Sequence, residues 1–428
     1  MPPNVLLITT HDTGRHLGCY GVETVRSPNL DRLAEGGCRF TNYFAASALC
    51  SPSRGAMMTG RYPQNNGMLG LSHAPWWWSL NEGEKHLSHL LHGAGYYTAL
   101  FGHQHETSDV DAQLCFDEHG LHRRPDSGLH TTCGTVADGV CRFLSEEAAD
   151  RAPFYLQVGF FETHRPFDFG GVEPDDELGV HVPPYLKDTD AVRAELAHLQ
   201  GAVRRMDGAV GRILDALREN GLRDDTLVVY SVDHGIPFPR AKTTLYDPGI
   251  GIALLMRLPG VVPPDTTCDG LLSNVDLVPT LLQIAGVDPP GNLDGSSFAS
   301  AFDGGAGRER IFAEQCGHGG PNELRCVRTE RYKLIRNFGP QRRLSVPVDV
   351  NEREQAGTLP FVQLFDLEED PLEVEDVSED DEYAEVLREL DAALHGWMAE
   401  VEDPLLSGPI ATPYYRRAMA DYREGPRR

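Results

Sequence analysis

The chain predicts an α/β fold, a doubly wound sheet followed by a smaller α+β subdomain, and three observations lead to it. Short apolar runs without alternation recur through the first 260 residues, as expected of strands buried on both faces of a sheet. A long segment between two of them, Ala191 to Asn220, carries apolar residues at three-to-four residue spacing. Clusters of His, Asp and Glu follow directly after three of the runs, where open α/β sheets bind their ligands.

In order, the runs are Asn4 to Thr10, Phe154 to Phe160, Thr226 to Ser231 and Ile252 to Met256. The first reads as a central strand. In the intervening helix, Leu196, Leu199, Val203, Met206, Val210, Ile213, Leu214 and Leu217 mark the buried stripe. The polar clusters are His11-Asp12, Glu162-Thr163-His164-Arg165 and Asp233-His234-Gly235, so three distant segments converge on one sheet edge. After Gly304-Gly305-Ala306-Gly307 the pattern changes to short strands at Arg310 to Glu314, Cys326 to Thr329 and Tyr332 to Arg336, then a helix from Tyr383 to Met398. The expected division is therefore a catalytic α/β domain over 1–303 and an α+β subdomain over 304–428. The acidic stretch Glu368 to Glu382 reads as a solvated loop.

Composition excludes several classes of partner. With 38 basic and 64 acidic side chains the net charge is −26, which leaves no basic face for nucleic acid, so an anionic substrate must meet a local basic pocket. Lysine occurs only at 85, 187, 242 and 333. No run approaches the ~18 apolar residues of a membrane span, and the first residues do not read as a signal peptide, so a soluble, cytoplasmic protein is expected. Nine cysteines, an odd number without paired spacing, indicate neither a zinc site nor a disulfide framework.

One cysteine stands apart because of its neighbours. Cys50-Ser51-Pro52-Ser53-Arg54, continuing to Thr59-Gly60, resembles the signature of the type I sulfatases, whose cysteine is oxidised to formylglycine. The resemblance implies an alkaline-phosphatase-like sheet, a formylglycine-generating partner enzyme and a sulfated small molecule or glycan as substrate. An aldehyde hydrate suits the reaction, because one hydroxyl attacks sulfur and the other later expels sulfate. Pro52 fits the first turn of a helix, whose amino end offers backbone donors to an anion.

The same resemblance implies the rest of the site. His11-Asp12 stands where the family has two aspartates, so Asp12 is an expected metal ligand while His11 is either a ligand or a polar neighbour. Asp233-His234 resembles the second metal segment, and with residue 50 these groups would hold a divalent cation. The family implies Ca²⁺; the imidazole content admits Mn²⁺ or Mg²⁺. His164 matches the family's His-x-Pro segment and is expected to contact sulfate or protonate the leaving group. Lys242 stands where a basic sulfate-binding residue is expected, and Arg54 is expected to anchor the ionised nucleophile or the metal-side carboxylates. Gly102-His103-Gln104-His105 resembles a glycine-lysine-x-histidine element: His105 matches, and His103 replaces the lysine, which makes nucleophile activation dependent on pH.

Asn66-Gly67-Met68-Leu69-Gly70-Leu71 and the segment from Asp233 to Gly249 look like the N-sulfoglucosamine sulfohydrolases, which cleave a sulfamate, and Leu364 to Leu367 with Asp370-Pro371 resembles their carboxyl-terminal element. Trp76-Trp77-Trp78 reads either as core or as a platform for a sugar ring. Two other readings stay open: a phosphonate monoester hydrolase or phosphodiesterase of the same fold, and a non-catalytic binder of sulfated glycans. The sequence does not determine the oligomeric state.

Overall fold

A computed structural model describes residues 2–120, 131–316, 323–339 and 360–423. The strands in chain order are β1 (Asn4–Thr10), β2 (Cys38–Phe40), β3 (Tyr43–Phe44), β4 (Tyr97–Gly102), β5 (Glu118–Gly120), β6 (Phe154–Gly159) and β7 (Thr226–Val232). They continue with β8 (Leu254–Arg257), β9 (Thr266–Cys268), β10 (Leu272–Ser273), β11 (Arg310–Gln315), β12 (Leu324–Thr329), β13 (Tyr332–Asn337) and β14 (Val362–Asp366).

Eight of these form the main sheet in the order β5-β4-β6-β1-β7-β8-β2-β9. β1 is central, parallel to β6 on one side (Leu6 opposite Leu156) and to β7 on the other (Leu6 opposite Val228). Every residue of β1, β6 and β7 is buried. Alternate side chains point to opposite faces, so both faces are covered, as the unbroken apolar runs imply. The run at Ile252 departs from expectation in direction: β8 pairs antiparallel with β7 and with β2, and the sheet is mixed. The apolar pattern of a buried strand carries no signal for direction. The helix expected from Ala191 to Asn220 spans Asp190–Glu219, with the Thr189 side chain accepting from Val192 N at its amino end.

β11 to β14 form a separate antiparallel sheet, whose two faces are both occupied. Ile311, Ala313, Cys326, Ile335 and Phe365 pack on Phe44, Ala48, Tyr246 and Ile250 of the first 303 residues. The alternate residues Val327, Leu334 and Leu364 pack on Leu390, Leu394 and Trp397 of the helix Ala384–Glu400. Among the described residues, no helix is long and apolar enough to cross a membrane.

Candidate active site

The carboxyl ends of β1, β7, β6 and β4 and the amino end of the helix Cys50–Thr59 meet at one place. Cys50 opens that helix and is buried, with Pro52 in the first turn. Leu49 at the cap makes no side-chain hydrogen bond, so the first-turn N–H groups are not capped by it and suit an anionic oxygen. Ser53 Oγ donates to the carbonyl of Asp233, and Asn274 Nδ2 donates to both Ser53 O and Ser53 Oγ at 3.0 Å, which fixes the helix against the end of β7.

Asp233 is the most heavily bonded carboxylate of the site. Its Oδ1 accepts the backbone N–H of Asp12 and of His234, each at 2.9 Å, and its Oδ2 accepts Arg54 Nε at 3.1 Å. Burial opposes its charge, but His234, His11 and Arg54 hold its carboxyl well below the usual range. Arg54 also donates to Thr9 Oγ1 (3.1 Å) and Thr10 O (3.0 Å), so its guanidinium ties β1 to β7 from behind the carboxylate. Asp12 has a positive φ of 46°, a conformation rare outside glycine that turns its carboxylate back into the site. Lys242 Nζ lies 2.9 Å from both Asp12 oxygens, and His234 Nε2 is 3.2 Å from Asp12 Oδ1. Burial raises the Asp12 pKa, and Lys242, His164 and His234 more than reverse this, to about 2.

The Cys50 sulfur lies 3.2 Å from His234 Nε2, whose Nδ1 faces Gly235 O at 3.0 Å. Burial pushes the thiol up, yet Lys242 and His234, with the imidazoles of His105 and His11 beside it, leave it well below its ordinary value. His11 Nδ1 sits 2.7 Å from Asp233 Oδ2. Burial disfavours its charge, but the adjacent Asp233 carboxylate brings its pKa to about 10. One ligand atom from each of His11, Asp12, Cys50 and Asp233 lies within 4.8 Å of the others, and all four residues are buried. Two carboxylate oxygens, one nitrogen and the residue-50 atom form a mixed donor set that fits a divalent cation.

His105 is within hydrogen-bonding reach of Cys50 and stacks on His73, with ring centroids 5.1 Å apart. Burial, the largest influence, lowers its pKa to about 4. His164 is lowered by burial too, and its ring lies 5.2 Å from that of His11. His103 is 4.5 Å from His11 between ring centroids. Every residue singled out from the sequence as catalytic or metal-binding is thus brought to this place.

Other contributors had no motif to mark them. Glu106 is fully buried and accepts the N–H of His105 at 2.9 Å through Oε2. The Ser72 N–H donates to Ser51 Oγ (3.1 Å) and Ser72 Oγ donates to His105 O (3.2 Å), linking the helix to the histidine loop. Thr13 shares a 2.7 Å hydrogen bond beneath His11 with Thr163, itself part of the Glu162 to Arg165 cluster. The three tryptophans divide: Trp78 is buried core, Trp76 packs beside Cys50 and Leu71, and Trp77 lines a cleft of ≈ 860 Å³ together with His11, His103, His105 and His164.

The chain belongs to the sulfatase family, whose model matches residues 3–287, and that membership makes it a sulfuric ester hydrolase. A second model, described as N-sulphoglucosamine sulphohydrolase, C-terminal, matches residues 238–347. Among individual relatives, the chain is 28% identical to an N-sulphoglucosamine sulphohydrolase of Homo sapiens over 95% of this chain and 92% of that protein. It is 27% identical to an ulvan-active sulfatase of Formosa agariphila over 94% of this chain and 75% of that one. Two solved structures show the same alkaline-phosphatase-like fold. One is a protein in complex with its substrate D-glucosamine-2-N,6-O-disulfate (TM-score 0.74, 20% identity, 94% of this chain and 99% of that one). The other is the phosphonate monoester hydrolase of Agrobacterium radiobacter (TM-score 0.72, 20% identity, 96% and 98%).

Proposed function

We propose that the protein removes sulfate from a sulfated sugar, as an N-sulfoglucosamine sulfohydrolase does, with a nucleophile made by oxidising Cys50 to formylglycine. The observation that carries this reading is the position of residue 50, at an uncapped helix start and within 4.8 Å of donor atoms from Asp12, Asp233 and His11. The two family models and the N-sulphoglucosamine relative support the sugar sulfate as substrate class.

In this reading Asp12, Asp233 and residue 50 hold a divalent cation, with His11 or His234 adding nitrogen. Ca²⁺ is the ion expected from the family, and Mn²⁺ or Mg²⁺ fit the same donors. When bound, such an ion supplies Lewis acidity that eases ionisation of a neighbouring hydroxyl. The residues of the chain do the remainder. The hydrated aldehyde at position 50 presents one hydroxyl to sulfur and keeps the second to expel sulfate. Arg54 holds Asp233 in place from behind, and Lys242 places a positive charge where sulfate oxygens gain negative charge. His164, its pKa lowered by burial, takes the proton that the attacking hydroxyl gives up and delivers it to the leaving oxygen or nitrogen, with His105 beside the nucleophile. His103 supplies an imidazole in place of a fixed cation. Residues 1–303 carry this chemistry, and the sheet within 304–428 braces it through Tyr246 and Ile250.

The test compares turnover of a glucosamine N-sulfate, an aryl O-sulfate and an aryl phosphonate monoester by protein carrying formylglycine at position 50. Preference for the N-sulfate is expected. Preference for the phosphonate would contradict the reading and assign the protein to phosphonate hydrolysis, and binding without turnover of any of the three would make it a sulfated-glycan binder.

A further inference from the structure

We propose that His11, His103 and His105 form a second metal site, a three-imidazole set suited to Zn²⁺ or a similar transition metal that adjoins the carboxylate set through His11. One nitrogen from each of the three histidines lies within 4.8 Å of the other two. Their ring centroids are 4.5, 5.4 and 5.9 Å apart, pair by pair. With Zn–N bonds of about 2.0–2.1 Å, tetrahedral nitrogens stand about 3.4 Å apart, so closing on an ion requires ring movements on the order of 1 Å.

The backbone builds this cluster rather than leaving it to chance encounter of surface side chains. His11 follows β1, while His103 and His105 follow β4, and β6 lies between those strands. The loop after β4 crosses the end of β6 so closely that His103 N donates to Gly159 O at 2.7 Å. A side chain at Gly159 would put Cβ only 1.6 Å from His103 O, so this crossing requires glycine there. His105 is then held by Glu106 Oε2 on its N–H and Ser72 on its carbonyl.

The free nitrogens point to a ligand. His11 directs Nδ1 at Asp233, 2.7 Å away, which leaves Nε2 buried with no hydrogen-bond partner. This is the carboxylate–histidine arrangement that fixes a metal-binding imidazole. His105 Nδ1 is likewise buried with no hydrogen-bond partner. Apart from His11 Nδ1, the oxygens of Asp12 and Asp233 face Lys242, His234, Arg54 and two backbone N–H groups. The two donor sets therefore differ in chemistry, and an all-imidazole set favours Zn²⁺ over the hard cation Ca²⁺. All three histidines line the ≈ 860 Å³ cleft, so an ion held by three nitrogens keeps a coordination position open to water or to an anionic oxygen of a ligand.

The inference does not depend on the sulfate reading, and the experiment keeps the two apart. Full-length protein saturated with Ca²⁺ is titrated with Co²⁺, then Zn²⁺, and followed by visible absorption and bound-metal analysis. Roughly one equivalent of Co²⁺ is expected to bind with the strong bands of a low-coordinate, nitrogen-ligated ion, displaced by Zn²⁺ but not by Ca²⁺. The double variant His103→Gln, His105→Gln is expected to lose those bands and to weaken Zn²⁺ binding by at least about 10-fold, whereas Cys50→Ala keeps both. Should the double variant not fold, X-ray absorption of the Co²⁺-loaded wild type counts the ligands, with three imidazoles expected. Displacement by Ca²⁺, bands that persist in the folded double variant, or an oxygen-only shell would overturn the proposal.

Discussion

Arg54 shows how one side chain serves the site without touching the cleft. It is fully buried, and its three donor directions are taken by Asp233, Thr9 and Thr10. Lysine keeps the charge but not the fixed fork, so Arg54→Lys is expected to weaken divalent-metal binding at the carboxylate set by about 10–100-fold, measured by calorimetric titration with Ca²⁺. Unchanged affinity would show that Asp233 is positioned by the two backbone N–H groups alone. At this scale the sequence was most informative where chemistry is written contiguously. Cys50 to Arg54, His11-Asp12, His103 to His105 and Asp233-His234 are adjacent pairs or short runs, and the structure brings all of them together. Asn274, Glu106 and Ser72 were not legible, because an isolated polar residue acquires its role only from what the fold places beside it.

Between elements, buried ion pairs tie the C-terminal segments to one another, and the last helix reaches the rim of the cleft. Arg325 on β12 donates to both oxygens of Asp403 and lies 3.8 Å from Glu314, all without solvent. Burial pushes the Glu314 carboxyl up, and Arg325 counters it in part, leaving a pKa of about 7. Arg325→Met leaves an unpaired buried carboxylate, and a loss of about 3–5 kcal/mol in chemical denaturation is expected. At the rim, Trp77 stacks on Tyr414 of the helix Pro413–Arg423, with ring centroids 6.0 Å apart, and Arg417 lies over the same indole at 4.5 Å. Trp77→Ala is expected to raise KM for a sugar substrate about 10-fold with little change in kcat, since a stacked aromatic contributes about 0.5–1.5 kcal/mol. A fall in kcat alone would place Trp77 in positioning the nucleophile instead. β4, β14 and the Pro413–Arg423 helix were not foreseen. β4 mixes Tyr, Thr and Gly with apolar residues, and the helix is largely exposed and predominantly polar, with no buried residue.

For the whole molecule, the buried strands β1, β6 and β7 were legible because complete burial gives unbroken apolar runs, whereas strand direction in the mixed half of the sheet depends on pairing partners far away in sequence. Two buried imidazoles outside the site make stability depend on pH. Burial, aided by a neighbouring histidine in each case, lowers His16 and His86 to about 3 from the usual 6.5. The unfolded chain takes up these protons below pH 6.5 and the native fold does not until about 3, so stability present above 6.5 is lost as pH falls through that window. His86 also caps the helix Leu87–Gly93 by accepting from Ser88 N, and His86→Asn retains a cap while removing the titration. A shallower loss of thermal stability between pH 6.5 and 4 is expected for that variant, and an unchanged slope would place the acid sensitivity elsewhere. The central claim concerns residue 50, and the most direct measurement is sulfate release against the fraction of protein shown by mass spectrometry to carry formylglycine there. Activity is expected to rise in proportion to that fraction and to fall by about 10⁴–10⁶-fold in Cys50→Ala; equal turnover by unconverted or Cys50→Ala protein would contradict the account.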